Sequence, residues 1–365
     1  MNSLNSLYEH CGQSPWIDNL SRAWIRSGRI QELKNLGVRG LTSNPTIFAN
    51  AISHSDDYDE EYFSLIQTMD IRSAYWHMAC KDVSQAAEIL DDVYKSSNGT
   101  DGFVSIEVDP ELAHDTAGTI KAAEWLWSTI GHENLMIKIP ATIEGIPAIT
   151  EVLSKGIPVN VTLIFSLERY KMVMDAHVNG IQKARELDRD LSKISSVASF
   201  FVSRVDTKLD PQLDDLGKDG SSLVGRVAVA QAQAAYVLHK ERYGQSDWLA
   251  LASSGARLQR PLWASTSTKN AAYSDLLYVD NLIAPETVNT MPESTLIAFV
   301  DHGESRDRSA AFAKNSDEVL GALKNLGIDM EPITEELEAE GVESFARSFR
   351  DLLAALEHKQ AAISR

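Results

Sequence analysis

The chain reads as an α/β protein: a single (β/α)8 barrel with additional helices after the second strand and at the carboxyl terminus. Three observations lead there. Eight short apolar runs recur along the chain, longer spans of helical spacing separate them, and most runs close on a polar residue. Runs that are apolar on both sides belong to a parallel sheet covered by helices, and eight alternations favour closure. A doubly wound open sheet is the competing topology, but its nucleotide signatures are missing. No G-x-G-x-x-G occurs, and Gly217-Lys218 is followed by Asp219 where a phosphate-binding loop needs Ser or Thr.

The first strand is expected over 14–18, closing on Asp18, and the second over 40–44, after a glycine and closing on Asn44. Residues 54–97 leave room for two helices, whose acidic patch Asp56-Asp57-Tyr58-Asp59-Glu60-Glu61 reads as solvated surface. The third strand, 103–107, ends at Glu107, and Lys138 interrupts the fourth, 135–140. The fifth, 158–165, carries Asn160 and Thr162; Tyr170, Val173, Met174, His177 and Ile181 then fall on one helical face. The sixth, 196–202, carries Ser199 and is followed by Val227, Ala230, Ala234 and Val237 at helical spacing. The seventh, 261–265, ends at Ser265, and the eighth is placed at 278–284. Beyond it Val342, Phe345, Phe349, Leu352 and Leu356 mark a helix with one apolar face. The expected organisation is one barrel domain, 1–302, with a helical extension, 303–365, packed on it.

Composition narrows the function. Of 365 residues, 34 are basic and 52 acidic, a formal charge of −18, and no Lys/Arg run could neutralise a row of phosphates. Nucleic acid is therefore not an expected partner. A small anion is compatible, because screening over roughly 8 Å leaves the nearest cation in control. No 18-residue apolar stretch or signal-peptide pattern occurs, so neither a membrane nor export is expected and the cytoplasm is the expected location. Cys11 and Cys80 have no metal spacing and support neither a disulfide framework nor a zinc site. Asn98-Gly99-Thr100 and Asn160-Val161-Thr162 fit the glycosylation pattern by accident. Oligomeric state is not legible, and a homodimer is left open.

In a closed barrel the reactive groups stand at the carboxyl ends of the strands. For Asp18 and Asn44 a helix cap is an equal alternative, since these side chains satisfy the first free amides of a helix. Lys138 stands in Leu135-Met136-Ile137-Lys138-Ile139-Pro140, where a covered strand leaves its ammonium few routes to water. It either snorkels to the strand end or is buried, and burial can lower a lysine pKa by roughly 3–5 units. A neutral amine attacks a ketone to form a Schiff base, with carboxylates such as Asp18 and Glu107 moving the protons. Arg204, just past the sixth strand, either grips a phosphate or pairs with Asp206 at the surface. The nine histidines show no metal spacing and are read as structural.

The motifs Gly40-Leu41-Thr42-Ser43-Asn44-Pro45-Thr46, Met136-Ile137-Lys138-Ile139-Pro140-Ala141-Thr142 and Val159-Asn160-Val161-Thr162-Leu163-Ile164-Phe165-Ser166 resemble those of transaldolases in their longer bacterial form. Trp16 to Arg22, Ser105 to Asp109, Ser199 to Asp206 and Pro261 to Thr266 extend the resemblance over most of 14–300. It implies transfer of a dihydroxyacetone unit from sedoheptulose 7-phosphate or fructose 6-phosphate to glyceraldehyde 3-phosphate or erythrose 4-phosphate. It also implies sugar phosphates as partners and no cofactor or metal. Lys138 matches the family's Schiff-base lysine, Asp18 the aspartate that takes the C4 hydroxyl proton, and Glu107 the glutamate that activates water. Thr162 helps to place that water. Asn44, Asn160 and Ser199 match residues that hold the dihydroxyacetone hydroxyls, Arg204 the phosphate arginine, and Ser265 its helper.

The resemblance thins after the seventh strand. Other transaldolases carry a second arginine there, whereas this chain reads Ser265-Thr266-Ser267-Thr268-Lys269-Asn270 and offers Lys269, a point charge without a two-pronged grip. Two alternatives stand beside transfer: a fructose 6-phosphate aldolase and a non-catalytic sugar-phosphate-binding barrel. In the related aldolases a glutamine and a tyrosine stand where this chain has Glu107 and Phe201. The absence of the phenol hydroxyl sides with transfer.

Overall fold

The computed structural model describes residues 3–53 and 55–363. Eight parallel strands close into one barrel in sequence order: β1 Gln13–Asp18, β2 Leu41–Thr42, β3 Val104–Glu107, β4 Leu135–Pro140, β5 Val159–Ile164, β6 Ser196–Phe201, β7 Gln259–Ala264 and β8 Thr287–Met291. The ring shuts where β1 pairs with β8, from Gln13↔Thr287 to Ile17↔Met291. Helices begin at defined caps: the side chains of Ser21, Asp70, Asp115 and Ser166 each accept a free amide of the first turn. Among the described residues no helix is long and apolar enough to cross a membrane.

One strand stands elsewhere than the apolar runs indicate. Residues 278–284 form no strand; Leu277–Asp280 is a single helical turn, and β8 is Thr287–Met291. Apolar density misleads here because β8 reads Thr-Val-Asn-Thr-Met and turns polar side chains into hydrogen bonds inside the barrel. Gln13 Nε2 donates to Thr287 Oγ1 at 2.9 Å, and Thr266 Oγ1 donates to Asn289 Oδ1 at 3.0 Å. β2 is also shorter than expected, so Asn44 lies beyond it.

Gly40 shows how tightly the first two strands meet: a Cβ there would stand 2.4 Å from the Trp16 ring. On β5, Leu163 adopts φ 60, and the β5–β6 register shifts between Val161 and Ile164. Such an irregularity stores local strain beside Thr162, which lines the cavity at the carboxyl ends of the strands. Asn160 is fully buried, out of reach of any glycosylating enzyme.

The long span after β2 forms helices Pro45–Ser53, Asp59–Leu65 and Ile71–Ser96. Its acidic patch is not merely solvated. Glu61 meets the buried Arg22 at 2.6 Å and Lys81 at 2.7 Å, while Asp57 pairs with Arg26 and Asp59 with Lys359. Helix Val227–Arg242 is buried around more of its circumference than its spacing indicates, because helix Phe312–Asn325 covers its outer side. The last helix, Met330–Ile363, has 34 residues, or about 50 Å of rise, and touches Pro45–Ser53, Ser203–Asp215 and β5. Phe345, Phe349, Leu352 and Leu356 enter the same hydrophobic core as the barrel strands. Tyr62 Oη and Thr46 Oγ1 fasten that helix by hydrogen bonds to Leu356 O and Ser348 Oγ.

Candidate active site

Strand register sets the geometry. Glu107 pairs with Lys138 across β3 and β4, Lys138 with Asn160 across β4 and β5, and Asp18 with Thr42 across β1 and β2. Lys138 is 4% exposed, so the snorkelling alternative does not hold. Its Nζ donates to the Ser43 carbonyl at 3.0 Å and lies 3.7 Å from Glu107 Oε2, an ion-pair distance rather than a hydrogen bond.

Burial pushes the Glu107 carboxyl up to about 7 against the pull of Lys138, while the nearby charge of Asp18 pushes the same way. Asp18 is also held above the ordinary aspartate value, by burial first, with Lys138 and the Thr42 hydroxyl drawing it back. Thr42 Oγ1 donates to Asp18 Oδ1 at 2.6 Å and therefore accepts from Thr290 Oγ1 at 2.7 Å, since a hydroxyl has one proton. This relay fixes the carboxylate. Asn160 accepts from Ser199 Oγ at 2.7 Å and donates to Ser105 Oγ at 3.1 Å, locking β3, β5 and β6 together. Thr162 Oγ1 and Glu107 Oε2 are buried with no hydrogen-bond partner among the described residues.

Asp18, Asn44, Lys138, Thr162, Ser199, Arg204, Ser265 and Lys269 line one cavity of about 290 Å³ at the carboxyl ends of the strands. Glu107 and Asn160 stand outside its wall, each in contact with a wall residue: Glu107 with Lys138, Asn160 with Ser199. Asn44 serves both readings, since its Oδ1 accepts from Ile47 N at 2.9 Å as a helix cap. Arg204 does not pair with Asp206. That carboxylate accepts from Ala228 N and Tyr278 Oη, and burial pushes it up to about 7. The Arg204 guanidinium lies over the Phe201 ring, 5.3 Å from its centre, and burial draws it below the ordinary arginine value. Ser265, at φ 55, shares a 2.9 Å hydrogen bond with Ser203, and Lys269 Nζ donates to Ser267 Oγ at 3.0 Å.

Thr42, Thr290, Ser267, Ser344 and Phe345 also line the cavity and are not marked as site residues by the apolar runs. Thr42 lay inside a quoted motif; Thr290 sat on the misplaced strand. Ser344 and Phe345 arrive on the last helix, where only apolar spacing gave a signal. A larger cavity, about 790 Å³, lies around Arg169, Met172, Leu323 and Thr334, and none of the strand-end groups reaches it. Among the described residues no group of three or more His, Cys, Asp and Glu could hold a metal ion.

A closed (β/α)8 barrel with a buried lysine and two carboxylates around its carboxyl-end cavity defines the class of barrel enzymes equipped for amine chemistry on small polar substrates. Comparison with known proteins narrows it. The family described as Transaldolase/Fructose-6-phosphate aldolase matches residues 15–356. A transaldolase of Saccharopolyspora erythraea is 47% identical over 351 residues, 95% of each chain. A transaldolase of Mycolicibacterium smegmatis and transaldolase 2 of Streptomyces coelicolor are each 48% identical over 350 residues, 95% of this chain and 94% of theirs. The chain belongs to the transaldolase/fructose-6-phosphate aldolase family. Its function there is that of a transaldolase, a transferase enzyme acting on sugar phosphates.

Proposed function

We propose that Lys138 forms the Schiff base through which a dihydroxyacetone unit passes from fructose 6-phosphate or sedoheptulose 7-phosphate to an aldose phosphate. The observation that carries this reading is a single buried amine, 3.7 Å from Glu107, on the wall of a cavity that also holds Asp18 and Arg204. Arg204 grips the phosphate, with Lys269 as a second charge, and Ser199 and Asn44 meet the hydroxyls of the first three carbons. Asn160 acts through Ser199. The Lys138 nitrogen attacks the ketone carbon, and the carbinolamine loses water to give an iminium. Asp18 takes the C4 hydroxyl proton, the C3–C4 bond breaks, and the electron pair settles on the enamine. An incoming aldehyde then reverses these steps, and water activated by Glu107, with Thr162 beside it, frees the product.

Transfer is favoured over simple cleavage because the enamine must outlast the departure of the first aldose. Phe201, on the cavity wall, offers no hydroxyl to orient a proton donor. Cys11 and Cys80 are both buried and unbridged, which supports a reducing cytoplasmic setting for the reaction.

Borohydride reduction with fructose 6-phosphate tests the reading. An irreversible adduct, located on Lys138 by mass spectrometry, is expected together with loss of activity. No adduct at saturating ligand would return the chain to the non-catalytic binding barrel.

A further inference from the structure

Between β3 and helix Ile71–Ser96 lies a second cavity, about 10 Å³, lined by Asn44, Tyr75, Trp76, Glu107, Val108 and Pro110 among others. That is room for one water, given the polar partners such a water needs. The cavity shares Asn44 with the substrate cavity. On its other side Trp76 also lines two surface cavities, about 500 and 290 Å³, that flank Trp125. Among the described residues Trp76 is the one that the small cavity shares with these surface cavities, so its ring stands between the Glu107 cavity and the outer face.

Three polar groups remain available there. Glu107 lines the cavity, and neither of its carboxylate oxygens has a hydrogen-bond partner among the described residues; Oε2 faces Lys138, which leaves Oε1 for the side cavity. The Asn44 amide keeps its Nδ2 donors, since only its Oδ1 is engaged. Tyr75, 3% exposed, is wedged between Phe48, Trp76 and Phe349 at ring distances of 6.2, 5.0 and 5.3 Å, and its hydroxyl has no hydrogen-bond partner among the described residues.

We propose that this cavity holds a water serving Glu107, and that Tyr75 is the positioning residue that orients it. The inference rests on the Schiff-base reading above. When the carbinolamine collapses, the C2–O bond breaks and the oxygen leaves as water with two protons, its own hydroxyl proton and one from Glu107. The C=N bond forms and the nitrogen keeps its last hydrogen. Hydrolysis reverses each transfer. While the sugar phosphate fills the mouth, the side water replaces the molecule that hydrolysis consumes, and the hydrolysis step itself returns the proton that Glu107 gave. The groups facing Glu107 are Lys138 from β4, Asp18 from β1 and Tyr75 from the helix. Burial, with Cys80, Asp109 and Glu107 behind it, holds the Tyr75 phenol well above its ordinary value, so it stays a donor.

The test is exchange of solvent oxygen-18 into the C2 carbonyl of fructose 6-phosphate, which reports imine formation and hydrolysis together. Tyr75→Phe keeps the ring contacts and removes the hydroxyl. Val108→Ile fills the cavity and leaves the hydroxyl. Each is expected to slow exchange about tenfold, less than the roughly 10²–10⁴ of a group that transfers the proton itself. Tyr75→Phe is also expected to shift the pH limb of exchange, with borohydride-trapped adduct at saturation unchanged. Wild-type exchange and pH profile in Tyr75→Phe would overturn the proposal. So would slowing in Tyr75→Phe alone with an unmoved limb, which marks a packing role. Failure of trapping in the wild-type protein is a different result and sinks the Schiff-base reading instead.

Discussion

Glu107 and Lys138 face each other across the β3–β4 register with Oε2 3.7 Å from Nζ, both side chains almost fully excluded from solvent. The same burial that keeps water from the amine brings the carboxyl up to about 7, so one side chain can give and take a proton near neutrality.

This gives Glu107 a readable pH signature. Acting as base toward water, it must be ionised, so hydrolysis of the bound intermediate should slow as pH falls through about 7. Glu107→Gln should remove that limb and lower kcat by roughly 10²–10⁴. Steady-state transfer measured from pH 5.5 to 8.5 checks it; a limb that survives in the variant assigns the ionisation to another group.

Arg204 is the cation built into the cavity wall, and no acidic side chain within ion-pair distance competes for it among the described residues. A charge-assisted hydrogen bond contributes about 1.5–3 kcal/mol, so Arg204→Ala should raise KM for fructose 6-phosphate by roughly 10²-fold. Lys269→Ala should cost less, about tenfold, because that ammonium is exposed and rests on Ser267. Transfer from a donor without phosphate should change little in either variant. Equal losses with both donors would show that Arg204 supports the fold rather than the phosphate.

What could be read from the chain and what could not divides along one physical line. Strands β1 and β3 to β7 announce themselves as short apolar runs, and Asp18, Glu107, Lys138 and Thr162 are the polar residues that close or interrupt them. β8 hides because its Thr and Asn side chains bond inside the barrel, and Thr290, which steadies Asp18 through Thr42, is lost with it. Register hides as well: a sequence places Lys138 and Glu107 at strand ends, but only pairing puts them opposite each other. The part of the wall formed by Ser344 and Phe345 comes from a helix about two hundred residues beyond Lys138, with no local pattern to tie it to the site.

Phe201 packs 5.2 Å from Phe165 on the cavity wall and carries the Arg204 guanidinium on its face. Phe201→Tyr would add a donor where the enamine waits. Acceptor-free cleavage of fructose 6-phosphate should rise about tenfold while transfer falls, the scale expected when proton delivery is improved without a new acid. Release of glyceraldehyde 3-phosphate, measured with and without an added aldose phosphate, checks this. An unchanged ratio of the two rates would mean that early protonation is limited by something other than the missing hydroxyl.

Asp206 offers a stability test independent of the chemistry. Its carboxyl, 1% exposed and pushed up to about 7 by burial, is neutral in the folded state over a range where the unfolded chain carries it charged. The folded state binds the extra proton, so this contribution is complete below about pH 4 and is lost as pH rises through about 7, near 1.4 kcal/mol per pH unit. His177 and His239, drawn down to about 3 and about 4, act in the opposite sense: the unfolded chain takes their protons first, and stability falls as pH drops below about 6.5. Asp206→Asn removes one carboxyl while its amide oxygen can still accept from Ala228 N. Relative to wild type, the variant should therefore gain about 1.4 kcal/mol of stability per pH unit from 4.5 to 6.5. Urea unfolding of both proteins at pH 4.5, 5.5 and 6.5 measures the difference directly. Parallel stability curves would mean that Asp206 ionises in the fold as it does in the unfolded chain, and that Tyr278 and the Ala228 amide stabilise its charge as well as water does.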